Sequence, residues 1–327
     1  MKPSRSLCLL VLVALLTGCA AVTPDLGPVH TVALRANHAG LRYYAHGQYG
    51  AARSEFERAL RLHRSIDNRE GALGALNNLG AIHLKTGDLP EAIRHFSEAV
   101  EIARKTGDKA AETDLLINLG VLEEMRGDPQ AAAASYKAAE TVARGAGENK
   151  GLRSALGRLG RLALAQAAWQ QADLYLKEAL RLEKQAGNAL AAAARESDLG
   201  MLALYGNRLE DADVRLNAAL RRHRELQDPQ GVALGLQRLA RLAMVRGDRR
   251  RAEDHARRAL LAHEALDDPT GAFEDLLILA EIGMEQGDRD MSLKALESAG
   301  QLVNEIGRQD LKNEWEAMEE RLEKRFP

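Results

Sequence analysis

The sequence predicts an all-α solenoid of stacked helical hairpins, and three observations carry that prediction. The first is composition. Of 327 residues 56 are alanine, and Ala, Leu, Arg and Glu, all good helix formers, dominate the chain. The second is a shortage of sheet formers. Val, Ile and Thr together number 28 and aromatics make up 4%, whereas sheets favour β-branched and aromatic side chains. The third is an internal period. Asn77-Asn78-Leu79-Gly80, Ile117-Asn118-Leu119-Gly120, Gly157-Arg158-Leu159-Gly160 and Ser197-Asp198-Leu199-Gly200 fall 40 residues apart. Gln237-Arg238-Leu239-Ala240 and Leu277-Ile278-Leu279-Ala280 continue the series with Ala for Gly, and Gly40 lies in phase before it. Two further registers keep the same step. One is Ala52, Ala92, Ala132, Ala172, Ala212 and Ala252 with Ser292; the other runs from Ala59 to Ala299. Units that recur at this spacing cannot bury an apolar face alone, so they stack.

The first element in chain order is an address. In residues 1–18, Lys2 and Arg5 precede an apolar run from Leu7 to Leu16, the layout of a signal peptide and too short for a mature membrane span. Leu16-Thr17-Gly18-Cys19 resembles the lipobox of bacterial lipoproteins. That resemblance implies cleavage before Cys19 and acyl chains on its thiol and new amino group. Several chains on one site would hold the protein stably at a membrane. The other cysteine, Cys8, reads as apolar filler, so the rest of the chain can form neither an internal disulfide nor a Cys-based zinc site. Ala20 and Ala21 stand where inner-membrane lipoproteins of enterobacteria carry an Asp, which implies the outer membrane with the body in the periplasm. Residues 19–30 hold two Pro and a Gly and read as a tether. Loss of Lys2 and Arg5 moves the net charge from −2 to about −4.

Residues 31–307 form about seven units, each read as two helices. In the second unit, helix A covers about 69–85, with Leu73, Leu76, Leu79 and His83 at 3.6-residue spacing. Gly87 is the candidate C-cap and Asp88 the candidate N-cap of helix B, which covers about 89–105 with Ala92, Phe96 and Ala99 inward. Pro90, Pro229 and Pro269 sit in first turns, where a missing N–H costs little. Gly80 and Ala92 mark close helix contacts. Residues 308–327 form a final amphipathic helix whose stripe is Leu311, Trp315, Met318 and Leu322, a cap on the open end of the stack.

The Leu-Gly of helix A, the paired alanines of helix B and the aromatic between them (Phe56, Phe96, Tyr136, with Tyr175 nearby) resemble the tetratricopeptide repeat family. The units are six residues longer than the usual 34 and lack the closing Pro. In this they resemble the variant found in kinesin light chains, Leu-Gly-Asn polarity adaptors and Rap-type peptide-regulated proteins. The resemblance implies a right-handed superhelix with the A helices lining a concave groove. Residues near the Leu-Gly pair then face a ligand: Asn37, His38, Asn77, Asn78 and Asn118 as an amide ladder, followed by Arg158, Arg161, Asp198, Gln237, Arg238 and Arg241. A carboxamide donates and accepts, which suits the backbone of an extended peptide, and guanidinium groups suit carboxylates or phosphates.

The charge balance gives no case for nucleic acid. Residues 208–263 hold 13 Arg against 8 acidic residues, and residues 264–327 reverse the balance. His63, His223 and His263 recur near B-helix ends, where a cation complements the helix dipole, so they read as structural. HExxH, GxSxG, P-loop and GxGxxG motifs are all missing, so no enzyme, cofactor or metal is expected. The expectation is a lipid-anchored periplasmic scaffold that holds a protein or peptide during envelope complex assembly. The alternative is a sensor whose superhelix changes shape on binding a peptide or small ligand.

Overall fold

The computed structural model describes residues 27–326. Among them fifteen α-helices follow one another with no strand. The A helices are α1 (Gly27–Ala45), α3 (Arg69–Lys85), α5 (Lys109–Met125), α7 (Asn149–Ala165), α9 (Ala189–Tyr205), α11 (Pro229–Val245) and α13 (Pro269–Gln286). The B helices are α2 (Tyr49–Ser65), α4 (Leu89–Thr106), α6 (Pro129–Ala146), α8 (Trp169–Gln185), α10 (Leu209–Glu225), α12 (Arg249–Ala265) and α14 (Arg289–Ile306). A single helix, α15 (Gln309–Arg325), ends the chain. The repeat is an all-α solenoid class, as the 40-residue period predicted. The signal segment and Cys19 lie outside the described residues. One boundary moves: α1 begins at Gly27, so residues 27–30, expected at the end of the tether, are helical.

The turns follow a finer period than the helices. A residue with positive φ stands at every twentieth position, beginning Gly27, Gly47, Asp67 and Gly87 and ending at Gly307. Ten are glycine, which adopts this left-handed backbone without a Cβ clash. Around Gly87 the geometry closes the helix end. Gly87 N donates to the Leu84 carbonyl at 3.2 Å and Asp88 N to the His83 carbonyl at 2.8 Å. Asp88 then accepts from Glu91 N at 3.4 Å and opens α4. Asn68, Asp108, Asp128, Asn188, Asp248, Asp268 and Asp288 cap other helices in the same way. Asp228 does not; its carboxylate meets His223 Nδ1 at 2.7 Å.

The described residues form two compact units that divide inside α7, residues 27–162 and residues 163–326. In the first, Phe56, Phe96 and Tyr136 are fully buried, each over the glycine of its own hairpin. A Cβ on Gly40, Gly80 or Gly120 would lie under 3 Å from the facing ring. Ala52, Ala92, Ala132 and their partners Ala59, Ala99, Ala139 are wholly buried beside these contacts. In the second unit Leu176 and Leu216 take the aromatic's place, and Leu216 lies under Gly200. The aromatic expected at Tyr175 is one residue off phase and only half-buried. Ser292, the polar member of the alanine register, is satisfied by the carbonyls of Ala280 and Asp288, both at 3.0 Å. The stripe of α15 covers the last hairpin. Leu311 and Leu322 are buried, and Trp315 Nε1 donates to the Leu296 carbonyl at 3.0 Å with its ring against Gly300.

Candidate functional site

Successive A helices touch one another within each unit, α1 with α3, and α9 with α11 and α11 with α13. The residues beside each Leu-Gly pair therefore meet across neighbouring A helices. In the unit of residues 27–162 this produces an amide pair: Asn78 Nδ2 donates to Asn37 Oδ1 at 2.9 Å. Both are half-buried, as are Asn118 on α5 and Arg158 on α7. His38 and Arg161 are exposed beside them. Asn77, expected in the ladder, is buried at 7% exposure and does not belong to the open face.

The unit of residues 163–326 departs further from expectation. Asp198 and Gln237 are 2% and 3% exposed, so they line the interior rather than a surface. Arg238 reaches back from α11 to α9, donating to Ser197 Oγ and Asp198 Oδ1, both at 2.7 Å, while Arg195 sits 3.4 Å from the other carboxylate oxygen. Gln237 reaches forward to α13, where its Nε2 donates to Asp275 Oδ1 at 3.0 Å. Asp275 is fully buried and also holds His263 Nδ1 at 2.6 Å. These groups are spent on joining A helices. Arg241 remains half-exposed, 3.9 Å from Glu274. Much of the basic stretch is likewise paired within the unit, Arg215 with Glu196 and Asp211, Arg246 with Asp213, and Arg257 with Glu253.

The titratable groups respond to these contacts in different ways. Burial and the neighbouring His30 hold the imidazole of His63 below its ordinary value, so it is not the helix-end cation expected from its position. Burial would lower His263 too, but the hydrogen bond and charge of Asp275 outweigh it and raise the group. Glu112 is 3% exposed, and burial opposes its charge; hydrogen bonds from Lys109 and Arg104 reverse that and hold it below the usual carboxylate range.

Sequence reasoning missed three polar pairings: His263 with Asp275, Ser135 with Glu123 at 2.7 Å, and the stacked rings of His83 and His95. Each pair is twelve residues apart across a turn, the separation at which antiparallel helices bring facing side chains together. That spacing was the available signal. Among the described residues no helix is long and apolar enough to cross a membrane.

Residues 71–145 match the tetratricopeptide repeat family model. Over those residues the chain carries tetratricopeptide repeats. Solved structures agree in fold. A tetratricopeptide repeat protein from Parabacteroides merdae superposes with a TM-score of 0.63 at 16% identity, covering 86% of this chain and 97% of that one. The apo form of the quorum sensor NprR from B. thuringiensis gives 0.63 at 16%, covering 83% and 76%. The Rap conjugation gene regulator of plasmid pLS20, in complex with the Phr* peptide, gives 0.62 at 16%, covering 89% and 81%. At these identities the likeness is one of fold. Comparison with curated protein sequences gives no match.

Proposed function

We propose that this tetratricopeptide-repeat chain is a non-enzymatic scaffold that holds a protein or peptide segment against its A helices. The observation that carries the reading is the recurrence of half-buried amides at one repeat position, Asn78 and Asn118, with Arg158 next in phase and the half-buried Asn37, one residue off that phase, bonded to Asn78. An amide ladder of this kind can exchange the Asn37–Asn78 bond for bonds to a peptide backbone, and Arg158 supplies a cation for a carboxylate. Asp198, Gln237 and Arg238 drop out of the binding set because their hydrogen bonds are internal. The lipobox-like Leu16-Thr17-Gly18-Cys19 supports an anchored position in the bacterial envelope, at the outer membrane facing the periplasm.

The test is crosslinked capture from native envelopes with mass-spectrometric identification, run in parallel with a triple variant, Asn37→Ala, Asn78→Ala and Asn118→Ala. A partner captured by the wild type and lost with the variant is the expected result. Recovery of the same proteins by both, with the variant folded, would remove the A-helix face as the site.

A second reading is a peptide sensor, and the fold neighbours favour it. The pLS20 Rap regulator carries a peptide, and a further Rap protein is complexed with Competence and Sporulation Factor. A ligand-dependent change in radius of gyration by small-angle scattering separates the two, since a plain scaffold keeps its dimensions.

A further inference from the structure

The hairpin of α3 and α4 holds a cluster that scaffold function leaves unused. His83, near the end of α3, and His95, one turn into the middle of α4, are 7% and 6% exposed, and their rings stack with centroids 5.2 Å apart. Glu91 completes a trio in which one imidazole nitrogen from each histidine and one carboxylate oxygen all lie within 4.8 Å of one another. His95 Nε2 is 3.8 Å from Glu91 Oε2. Two buried imidazoles stacked without a carbonyl or hydroxyl between them are a poor way to fill a core. Among the described residues the matching position pair of the next hairpin holds Glu123 and Ser135, which satisfy each other. Here, by contrast, His95 Nδ1 is buried with no hydrogen-bond partner. It is Nε2, on the other side of the ring, that faces the Glu91 carboxylate.

We propose that His83, Glu91 and His95 form a binding site for a first-row transition-metal ion, with Zn2+ the best chemical match. Two imidazoles and one carboxylate are the donor set of a three-ligand zinc site that keeps a further position open to water. Nitrogen donors select against Mg2+ and Ca2+, which take oxygen ligands. The outer contact is also in place. Asp88 Oδ2 lies 3.2 Å from His83 Nδ1, and a carboxylate that accepts from one ring nitrogen fixes the tautomer with the lone pair on the other.

Two adjustments are needed. Ligands about 2.0–2.2 Å from a shared ion stand closer together than the present trio, so the side chains must draw in by about an ångström. The guanidinium of Arg94, which bonds Glu91 Oε2 at 2.7 Å and sits 3.0 Å from His95 Nε2, must swing away. Its side chain is 56% exposed and free to do so. The trio opens on a groove of about 470 Å3 shared with Arg53, Glu57 and Asp88, which gives the ion an entry path.

The test is titration of the chelator-treated full chain with ZnCl2 by calorimetry and with CoCl2 by visible absorption. A single ion per chain and intensified cobalt d–d bands are expected. His83→Gln and His95→Gln should abolish the cobalt bands. Asp88→Asn keeps a good N-cap and should fold normally, yet weaken binding by about tenfold or more. Circular dichroism checks that each variant is folded. Absence of saturable binding in the wild type, or equal affinity in wild type and both folded histidine variants, would overturn the site.

Discussion

His63, His223 and His263 occupy one repeat position, and each presses its ring on a glycine in the next A helix: Gly71, Gly231 and Gly271. A Cβ there would fall 2.5 Å or less from the imidazole. Where the position holds Ala103 or Glu183, the facing residue is Ala111 or Ala191. Each ring at this position faces a glycine, although Ala143, which has no ring, is matched by a glycine too, Gly151. Identical placement does not bring identical chemistry. His63 lies between His30 and Asn68, whose Nδ2 is 3.1 and 3.2 Å from the two Nδ1 atoms and donates to unprotonated nitrogens. His263 faces the Asp275 carboxylate. Proton NMR should therefore show His63 titrating below 6.5 and His263 above it. Linkage sets opposite signs. A lowered His63 means its contribution to stability is lost as pH falls below 6.5, the unfolded value. A raised His263 means its contribution is complete below 6.5 and is lost as pH rises through the folded value. Asp275→Asn should bring the His263 titration down; an unchanged His263 would show that burial, not the carboxylate, governs it.

At the scale of the helix, two devices set the packing, and they differ in how clearly the sequence displays them. The glycine-under-ring contact was legible, because Gly40, Gly80, Gly120, Phe56, Phe96 and Tyr136 recur as visible letters. A Cβ on Gly120 would lie 2.4 Å from Tyr136 Cε1. Gly120→Ala should therefore cost about 1–3 kcal/mol by overpacking, read from chemical denaturation. The chain itself indicates the repair, since Ala280 stands in a hairpin whose ring position is Leu296. Adding Tyr136→Leu to Gly120→Ala should then cost less than the two single changes summed, the signature of residues in contact. The polar links between A helices were not legible. Asp198, Gln237 and Arg238 are letters that suit a binding face equally well, and only the α9–α11–α13 stacking shows their partners. Arg238→Met should destabilise by about 1–3 kcal/mol by stripping a donor from the buried Asp198, measured the same way. Combining it with Asp198→Asn should recover part of that loss, since the charge that needed the donor is gone.

Across the whole molecule the 40-residue period is underlain by the 20-residue rhythm of left-handed residues, which the sequence hides because five of fifteen are not glycine. Asp67, Asn207 and Asp267 tolerate that backbone, but Ala167 gains nothing from its side chain there and should carry a cost of about 1 kcal/mol. Ala167→Gly should accordingly raise the denaturation midpoint, and a lower midpoint would mean that the unfolded-chain entropy of glycine outweighs the relieved strain. The hairpins within residues 71–145 keep both the glycine and the ring, while the next two keep Gly160 and Gly200 but replace the ring by Leu176 and Leu216, and the one after has Ala240 and Ala256. What no helix period carries is where the molecule works. That rests on the lipobox-like stretch, and the proposed anchor has a whole-molecule consequence. In that reading Cys19 carries the chain's attachment. Cys19→Ala should leave the signal peptide uncleaved at that point or processed elsewhere, and without acyl chains on residue 19. After lysis and carbonate washing of membranes, the wild type should remain in the pellet and the variant should shift toward the soluble fraction. Wild-type and variant chains found equally in the pellet would show that the attachment comes from another part of the protein or from its partner.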